Sequence, residues 1–389
     1  MKELIACKYA PIYTVDDPLS MIGTIFWRWA EPDRFGKLNS GSPYNFKVRE
    51  DMVLPTFKTP KETMEELCLK RAEELKKEYG NKQIVLLWSG GVDSTCILCS
   101  LLTVGLKPIV LCTRESIQEA PSIYDFLNKN GVRFEIFSWL ERSKIYHKVF
   151  DKYGEVVYIL GWCADQLFGS NVNLNYPHLY TTDYKYGFKE ILKDRRVWNE
   201  LPESKIDENI ELFGEYAKEI GIPIEYTCEG LWLYNFAVKW SHVSLDFKLV
   251  LPKDEYRKYV INFFEDVRFQ NWAVANYKEF HKHNQTLDVA NYKRPLKNVI
   301  FDYTKDEDYL LNKGKVNSWK NRDIKAIQTS DLCILDDDGF HMFDLMIPTE
   351  YSNYFLMQLN RQEANRRYYL KDYLKEGVDV ERFLFMEEQ

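Results

Sequence analysis

The stretch that decides the fold is "IVLLWSGGVDSTCILCSLL", residues Ile84 to Leu102. An apolar run leads into two glycines, and an aspartate and a serine follow before apolar residues return with helical spacing. This pattern predicts a buried strand, a tight turn and a helix. The first N–H groups of a helix have no partners within it and point at one spot in front of it. The turn therefore predicts an anion-binding site.

Five residues of this turn suit a phosphate group with a metal ion. Gly90 and Gly91 let the backbone approach a phosphate closely. The hydroxyls of Ser89 and Ser94 can add hydrogen bonds, and Asp93 offers a hard oxygen ligand of the kind that Mg²⁺ prefers. The chain contains no GxxxxGK[ST] string, so this is not a Walker A loop. We interpret the turn as a pyrophosphate site; the alternative is an ordinary strand–helix turn with a capping aspartate.

Strands and helices alternate around this turn. The apolar runs predict strands at 84–88, 108–112, 132–137 and 156–160, and the helical patterns between them lie at 94–102, 122–130 and 142–153. Strands of continuous apolar character separated by single helices indicate an α/β fold with a doubly wound parallel sheet. In such sheets ligands bind at the carboxyl ends of the strands, which is where the turn lies.

The flanking segments differ in character. Residues 1–58 show no sustained periodicity and predict an irregular N-terminal extension, and residues 59–320 form the main domain. Its first helix is predicted to begin at the capping box Thr59-Pro60-Lys61-Glu62, and its part after about residue 200 reads as mostly helical. Residues 321–389 predict a C-terminal extension: a β-hairpin around Asp338-Gly339, then a long polar helix.

Composition narrows the class of protein. The chain has 389 residues, 45% of them hydrophobic, which is enough for a large core. Its 52 basic and 59 acidic residues give a net charge of −7, which argues against broad binding to a nucleic-acid backbone. The start of the chain lacks an apolar signal region, and no run of 18 apolar residues occurs. With eight scattered cysteines, we expect a cytoplasmic protein without a membrane span.

Two motifs resemble a known family. The string SGGxDS at 89–94 resembles the ATP pyrophosphatases, which split ATP between its α and β phosphates. The string "GWCADQLFGS" at 161–170 is similar to the second motif of the synthetase domain of asparagine synthetase. The resemblance implies an adenine nucleotide alpha hydrolase-like fold, ATP and Mg²⁺ as cofactors, and metal binding by Asp93 together with Asp165. For Asp165, an alternative is that it caps the helix beginning at "QLFG".

Later segments resemble the same family in the same order. "FFEDVRFQNWA" and "KRPLKNVIFDY", followed by "NKGKVNS", are similar to its helical and lysine-bearing segments. In the family, a lysine at the end of the last segment contacts the α-phosphate, and the match admits either Lys315 or Lys313. By the same resemblance, the adenosine contacts fall on Leu87, Leu111, Leu160 and Gly161.

Two positions depart from the family pattern. Trp162 stands where the family has an acidic residue or a tyrosine that is linked to the nucleophile, and Gln166 stands where a glutamate is usual. Tryptophan cannot accept a proton at neutral pH. Either another residue activates the nucleophile, or the nucleophile is uncharged and needs no base, or the second half-reaction differs from amide formation with ammonia. The expected chemistry on ATP is unaffected.

Cys96 and Cys99 form a CxxC directly after the turn. Thiolating relatives use cysteines for sulfur transfer or iron–sulfur clusters. Both residues, however, fall inside the predicted helix, and no second cysteine pair at a recognisable spacing supplies further ligands. We interpret them as small buried helix residues and assign no zinc or iron.

The resemblance implies an ATP-dependent ligase that adenylates a small-molecule carboxylate, releases pyrophosphate and AMP, and transfers the acyl group to ammonia or an amine. Glutamine is not the expected nitrogen source, because Lys2 rather than a cysteine follows Met1 and only 88 residues precede Ser89. One alternative is an enzyme that modifies a nucleobase in RNA or DNA through the basic, aromatic segment "NRRYYLKDYLK". Another is a catalytically silent ATP-binding protein. No oligomeric state is indicated.

Overall fold

The structure is a computed structural model that describes residues 4–6, 34–35, 53–137, 149, 151–169, 177–194, 203–237, 240, 243, 259–284, 289–314, 329–335 and 341–348. The chain divides into two compact units. One comprises Val53–Pro177 and Val250–Asp323, and the other comprises Met1–Met52, His178–Leu249 and Ile324–Gln389. Within the described residues, no helix is both long enough and apolar enough to cross a membrane.

A parallel sheet forms the centre of the first unit. Its five strands are β2 (Gln83–Leu87), β3 (Ile109–Cys112), β4 (Phe134–Ile136), β5 (Val156–Leu160) and β6 (Val260–Asn262). They lie in the order β4-β3-β2-β5-β6, and every neighbouring pair is parallel. The inner strands β3 and β5 are buried along their whole length, as expected for a sheet covered by helices. The predicted α/β parallel-sheet fold is confirmed.

The strand order creates a crevice between β2 and β5. The chain runs from β2 outward through β3 to β4, then returns to β5 on the other side of β2 and continues to β6. Right-handed crossovers place helices on opposite faces of the sheet when the direction of winding reverses. The reversal opens a crevice at the carboxyl ends of β2 and β5, which are paired through Leu86 and Ile159.

Eleven α-helices have both ends among the described residues, and residues 149, 151–153, 240 and 243 are also helical. In chain order they are α1 (Met64–Tyr79), α2 (Val92–Thr103), α3 (Arg114–Glu119), α4 (Pro121–Lys129), α5 (Ala164–Phe168), α6 (Tyr184–Asp194), α7 (Glu203–Glu219), α8 (Thr227–Ala237), α9 (Val267–Asn284), α10 (Arg294–Thr304) and α11 (Glu307–Asn312). The sequence missed α3, which is only six residues long and follows β3 directly. The sequence also missed β6, because three residues are too few to show the alternation of apolar and polar residues that marks a strand.

The N-terminus of α1 lies one turn later than predicted. Its cap is Thr63, whose side chain accepts a hydrogen bond from the N–H of Glu66, while the Glu66 side chain accepts one from the N–H of Thr63. The pattern Thr-x-x-Glu occurs twice in succession, at 59–62 and at 63–66, and the prediction chose the first. The second copy is the cap because it stands directly before the first buried residue, Met64.

The two threonines give a matched test of this cap. We expect Thr63→Ala to lower the free energy of unfolding by about 1 kcal/mol, because it leaves a helix N–H without its partner. Thr59→Ala changes an exposed residue outside the helix and should have no measurable effect. Urea unfolding followed by circular dichroism measures both. A larger loss for Thr59→Ala than for Thr63→Ala would contradict the observed cap.

The other unit contains helices α6 to α8 and a small antiparallel sheet. In that sheet β1 (Leu4–Ala6) and β8 (His341–Pro348) flank β7 (Thr329–Leu335). The antiparallel pairing of β7 with β8 confirms the strands of the predicted hairpin. The turn at Asp338-Gly339 and the polar helix predicted after it lie outside the described residues.

Candidate functional site

The SGGVDS turn is held together by its two serines. The N–H of Ser89 donates to the Ser94 hydroxyl at 3.1 Å, and the two hydroxyl oxygens also lie 3.1 Å apart. The N–H of Gly91 donates to the Ser89 hydroxyl at 3.3 Å. Helix α2 begins at Val92, within the turn, so its N-terminus lies where the sequence predicted an anion site. Ser89 is exposed at this point, whereas Ser94 is buried.

Helix α3 packs directly against this turn. Gly90 has a φ of +77°, and a Cβ atom there would lie 2.1 Å from the carbonyl oxygen of Ser116 and 3.0 Å from Cβ of Glu119. A contact of 2.1 Å is far below van der Waals separation, so no side chain fits at this position. The glycine is thus required both by its backbone conformation and by the closeness of α3.

Asp93 and Asp165 come together at the ends of β2 and β5. Each is the second residue of its helix, Asp93 in α2 and Asp165 in α5. The cap position of α5 is occupied by Cys163, so the interpretation of Asp165 as a helix cap is wrong. Gly161 permits the close approach, because a Cβ atom there would lie 3.2 Å from the Ser94 nitrogen and 3.5 Å from Cβ of Asp93.

A buried lysine joins the two carboxylates. The Nζ of Lys293 donates to Oδ1 and Oδ2 of Asp93 at 2.6 and 2.7 Å, and to Oδ1 of Asp165 at 2.6 Å. The lysine side chain is 1% exposed, and the aspartates are 24% and 34% exposed. Burial alone would lower the pKa of Lys293, but the carboxylates of Asp165 and Asp93 raise it well above its usual value. The cluster therefore consists of two carboxylates and one ammonium group.

Sequence reasoning missed Lys293. The residue opens the "KRPLK" segment that resembles the family, but the prediction took the lysines at the far end of that segment instead. Lys293 precedes α10 in the left-handed conformation, with φ 47° and ψ 37°. Lysine rarely adopts this conformation, and nothing in the sequence indicated it. The only available signal was a lysine two residues before a proline in a segment already singled out.

Of the two lysines predicted to contact the α-phosphate, the structure describes only Lys313. Lys313 lies beside α3, where its Nζ donates to the carbonyl oxygen of Glu119 at 3.0 Å and to its carboxylate at 3.3 Å. Both side chains are 8% exposed. Burial lowers the pKa of Lys313 below its usual value, and the Glu119 carboxylate offsets only part of that shift. Glu119 borders the turn, since its Oε1 lies 3.7 Å from a Cβ built on Gly91. Lys315 lies outside the described residues.

The four predicted adenosine positions differ in accessibility. Leu87 ends β2 and Gly161 follows β5, and both are partly exposed at the crevice. Leu111 and Leu160 are 1% and 0% exposed within β3 and β5. A ligand at the strand ends can therefore reach Leu87 and Gly161 directly, whereas the other two lie inside the sheet.

The two positions that depart from the family pattern flank Asp165. Trp162 is partly exposed. Gln166 is 3% exposed, and its Oε1 has no hydrogen-bond partner among the described residues. A glutamate at this buried position would bring a third carboxylate next to Asp165, whereas the glutamine adds no charge.

The CxxC cysteines are buried, as predicted. Cys96 and Cys99 are both 0% exposed in α2, and the Sγ of Cys96 lies 3.8 Å from the Sγ of Cys68. Burial raises the pKa of the Cys99 thiol well above its usual value, so it is a poor nucleophile. Across the described part of the chain, no group of three or more His, Cys, Asp or Glu side chains could hold a metal ion.

The donor chemistry of the cluster nevertheless suits Mg²⁺. The carboxylates of Asp93 and Asp165 are hard oxygen ligands, and Mg²⁺ is commonly bound by one or two carboxylates with the rest of its shell supplied by waters and substrate phosphates. Helix α2 begins within the adjacent turn, and a helix N-terminus is a favourable place for such phosphates. In this structure the ammonium group of Lys293 lies between the carboxylates of Asp93 and Asp165.

Comparisons with known proteins add little to this site. No family model matches the chain, and no curated protein matches it either. Among solved structures, the chain is similar to "Structure of NMN synthetase from Francisella tularensis", with 13% identity and a TM-score of 0.24 over 45% of this chain and 93% of the other. A likeness this weak supports no conclusion about activity.

Proposed function

We propose that this chain is an enzyme that binds ATP with Mg²⁺ at the SGGVDS turn and splits it into AMP and pyrophosphate. The observation that carries the proposal is the meeting of Asp93 and Asp165 on one cation, directly beside that turn. Two carboxylates that follow different strands, together with a helix N-terminus, form an arrangement suited to a metal-bound polyphosphate.

The residues of the turn have separate tasks in this proposal. The N–H groups at the start of α2 hold the phosphate oxygens, and Gly90 and Gly91 let the backbone approach them. Asp93 and Asp165 would hold the Mg²⁺, and the bound ion would neutralise the charge that builds up as pyrophosphate leaves. Lys313 would add a positive charge beside Glu119, which borders the turn at Gly91.

The second substrate follows from the resemblance noted in the sequence. AMP-forming members of this kind activate a carboxylate as its adenylate and pass the acyl group to nitrogen. We propose the same order here, with a small carboxylic acid first and ammonia or an amine second. Trp162 cannot act as the base for that amine, since an indole ring does not accept a proton at neutral pH. An amine that arrives uncharged fits the site best.

The products of ATP cleavage test this proposal. We expect purified protein mixed with ATP, Mg²⁺ and a metabolite extract to form AMP and pyrophosphate in equal amounts, because cleavage between the α and β phosphates releases one of each. Ion-exchange chromatography separates these products from ADP and phosphate, and mass spectrometry of the same mixture identifies the new adenylate or amide. Protein incubated without the extract is the control. ADP and phosphate as the products would overturn the proposal.

A further inference from the structure

The ammonium group of Lys293 already provides a cation at the meeting point of the two aspartates. It has three protons, and three carboxylate oxygens accept from it at 2.6 to 2.7 Å. A lysine with 1% exposure cannot exchange these partners for water without moving. The two carboxylates are thereby held together without a metal ion.

The backbone conformation shows that this placement is built into the fold. Lys293 has a left-handed conformation, which costs a non-glycine residue about 1 kcal/mol and persists only where the surroundings impose it. Residues 289–293 form a turn that leads into α10. The buried Lys297 stabilises this turn, because its Nζ donates to the carbonyl oxygen of Val289 at 2.7 Å. Cys163, two residues before Asp165, is also left-handed, with a φ of 72°.

A divalent metal ion would compete with this ammonium group. Mg²⁺ binds carboxylate oxygens at about 2.0–2.1 Å, shorter than the contacts observed to Nζ. An ion drawn to the same oxygens would lie within a few ångströms of a positive charge that is shielded from water, and like charges at that separation repel strongly. The lysine also reduces the net charge of the cluster from two negative charges to one.

We propose that Lys293 is a positioning residue that takes the place of the metal ion between Asp93 and Asp165 in the nucleotide-free protein, so that free divalent ions bind weakly. A metal ion then binds only together with a nucleotide, whose phosphates in the SGGVDS turn offer the ammonium group a new anionic partner. The first statement depends on the described cluster alone. The second rests on the proposed function.

Mn²⁺ is a suitable probe, because the electron paramagnetic resonance signal of the free ion reports binding without any turnover. Without nucleotide, we expect Lys293→Met to bind Mn²⁺ at least about tenfold more tightly than the wild-type protein, since the change removes a buried positive charge from the two carboxylates. Lys305→Met is the matched control: it removes the same charge from an exposed side chain at the other end of α10 and should leave Mn²⁺ binding unchanged. Lys293→Arg keeps the charge and should bind Mn²⁺ as weakly as the wild type.

The wild-type protein provides a second measurement that does not depend on the folding of any variant. Adding a non-hydrolysable ATP analogue should increase its Mn²⁺ affinity at least about tenfold over the protein alone, after correction for Mn²⁺ bound by the analogue. Equal Mn²⁺ affinity in the wild type and in folded Lys293→Met would overturn the role of Lys293, as would tight binding of Mn²⁺ to the wild type alone. Failure of the analogue to bind at all would instead contradict the proposed function, while the comparison of the variants still decides the role of the lysine.

Discussion

Asp93→Asn and Asp165→Asn should each reduce AMP formation by at least about a thousandfold, because each removes one of the two carboxylates that we propose hold Mg²⁺ beside the turn. Their effects on stability should differ. Asp93 accepts two hydrogen bonds from the buried Lys293 ammonium group, and Asp165 accepts one. Chromatographic assay of AMP, paired with urea unfolding, measures both effects on the same preparations.

The expected difference in stability follows from the geometry. Loss of the Asp93 charge leaves a buried ammonium group with one charged partner, and we expect a cost of about 2 kcal/mol. Loss of the Asp165 charge leaves the bidentate contact between Lys293 and Asp93 intact. Asp165 is also the more exposed of the two aspartates, at 34%. We therefore expect a cost of about 1 kcal/mol.

An exposed aspartate on the same scaffold serves as the control. Asp302→Asn, on α10, changes a side chain that is 71% exposed and should alter neither AMP formation nor the free energy of unfolding. Full activity in Asp165→Asn would remove this residue from the proposed metal site and would leave the SGGVDS turn as the only support for ATP chemistry.

Gly90→Ala is expected to have the largest effect on stability of any conservative change in the turn, about 3 kcal/mol. Two costs combine there. The residue must keep a φ of +77°, which is unfavourable for alanine, and its new methyl group would lie 2.1 Å from the Ser116 carbonyl oxygen. Because that oxygen belongs to the backbone of α3, relief requires the turn or the helix to shift. Nucleotide binding should weaken at least about tenfold as a consequence.

Gly131 separates these two costs. It has the same φ of +77°, but no described atom lies within 4 Å of a Cβ built on it. Gly131→Ala should therefore cost about 1 kcal/mol, from backbone strain alone. Urea unfolding of both variants, with calorimetry of the ATP analogue, gives the difference due to the contact with α3. Equal losses in the two variants would mean that α3 does not pack against the turn as described.

Local patterns in the sequence predicted the strands well where the apolar runs are long. Val156–Leu160 was predicted residue for residue, since five successive apolar residues can only be buried. The start of α1 was placed one turn too early, because a repeated capping pattern looks the same in both copies until burial selects one. The short elements α3 and β6 were missed, since their formation depends on neighbours rather than on their own sequence.

In the candidate site, too, some features were predictable from local sequence and others required the tertiary structure. The sequence alone predicted a phosphate-binding turn and named both carboxylates, because SGGVDS and the aspartate after β5 are local features with recognisable residue types. Only the tertiary structure decided which cation they share. Lys293 lies 200 residues from Asp93 along the chain and reaches it through a backbone conformation that lysine seldom adopts. Strand order, the packing of α3 on Gly90 and this ion cluster all arise from contacts between distant segments, and no local pattern encodes such contacts.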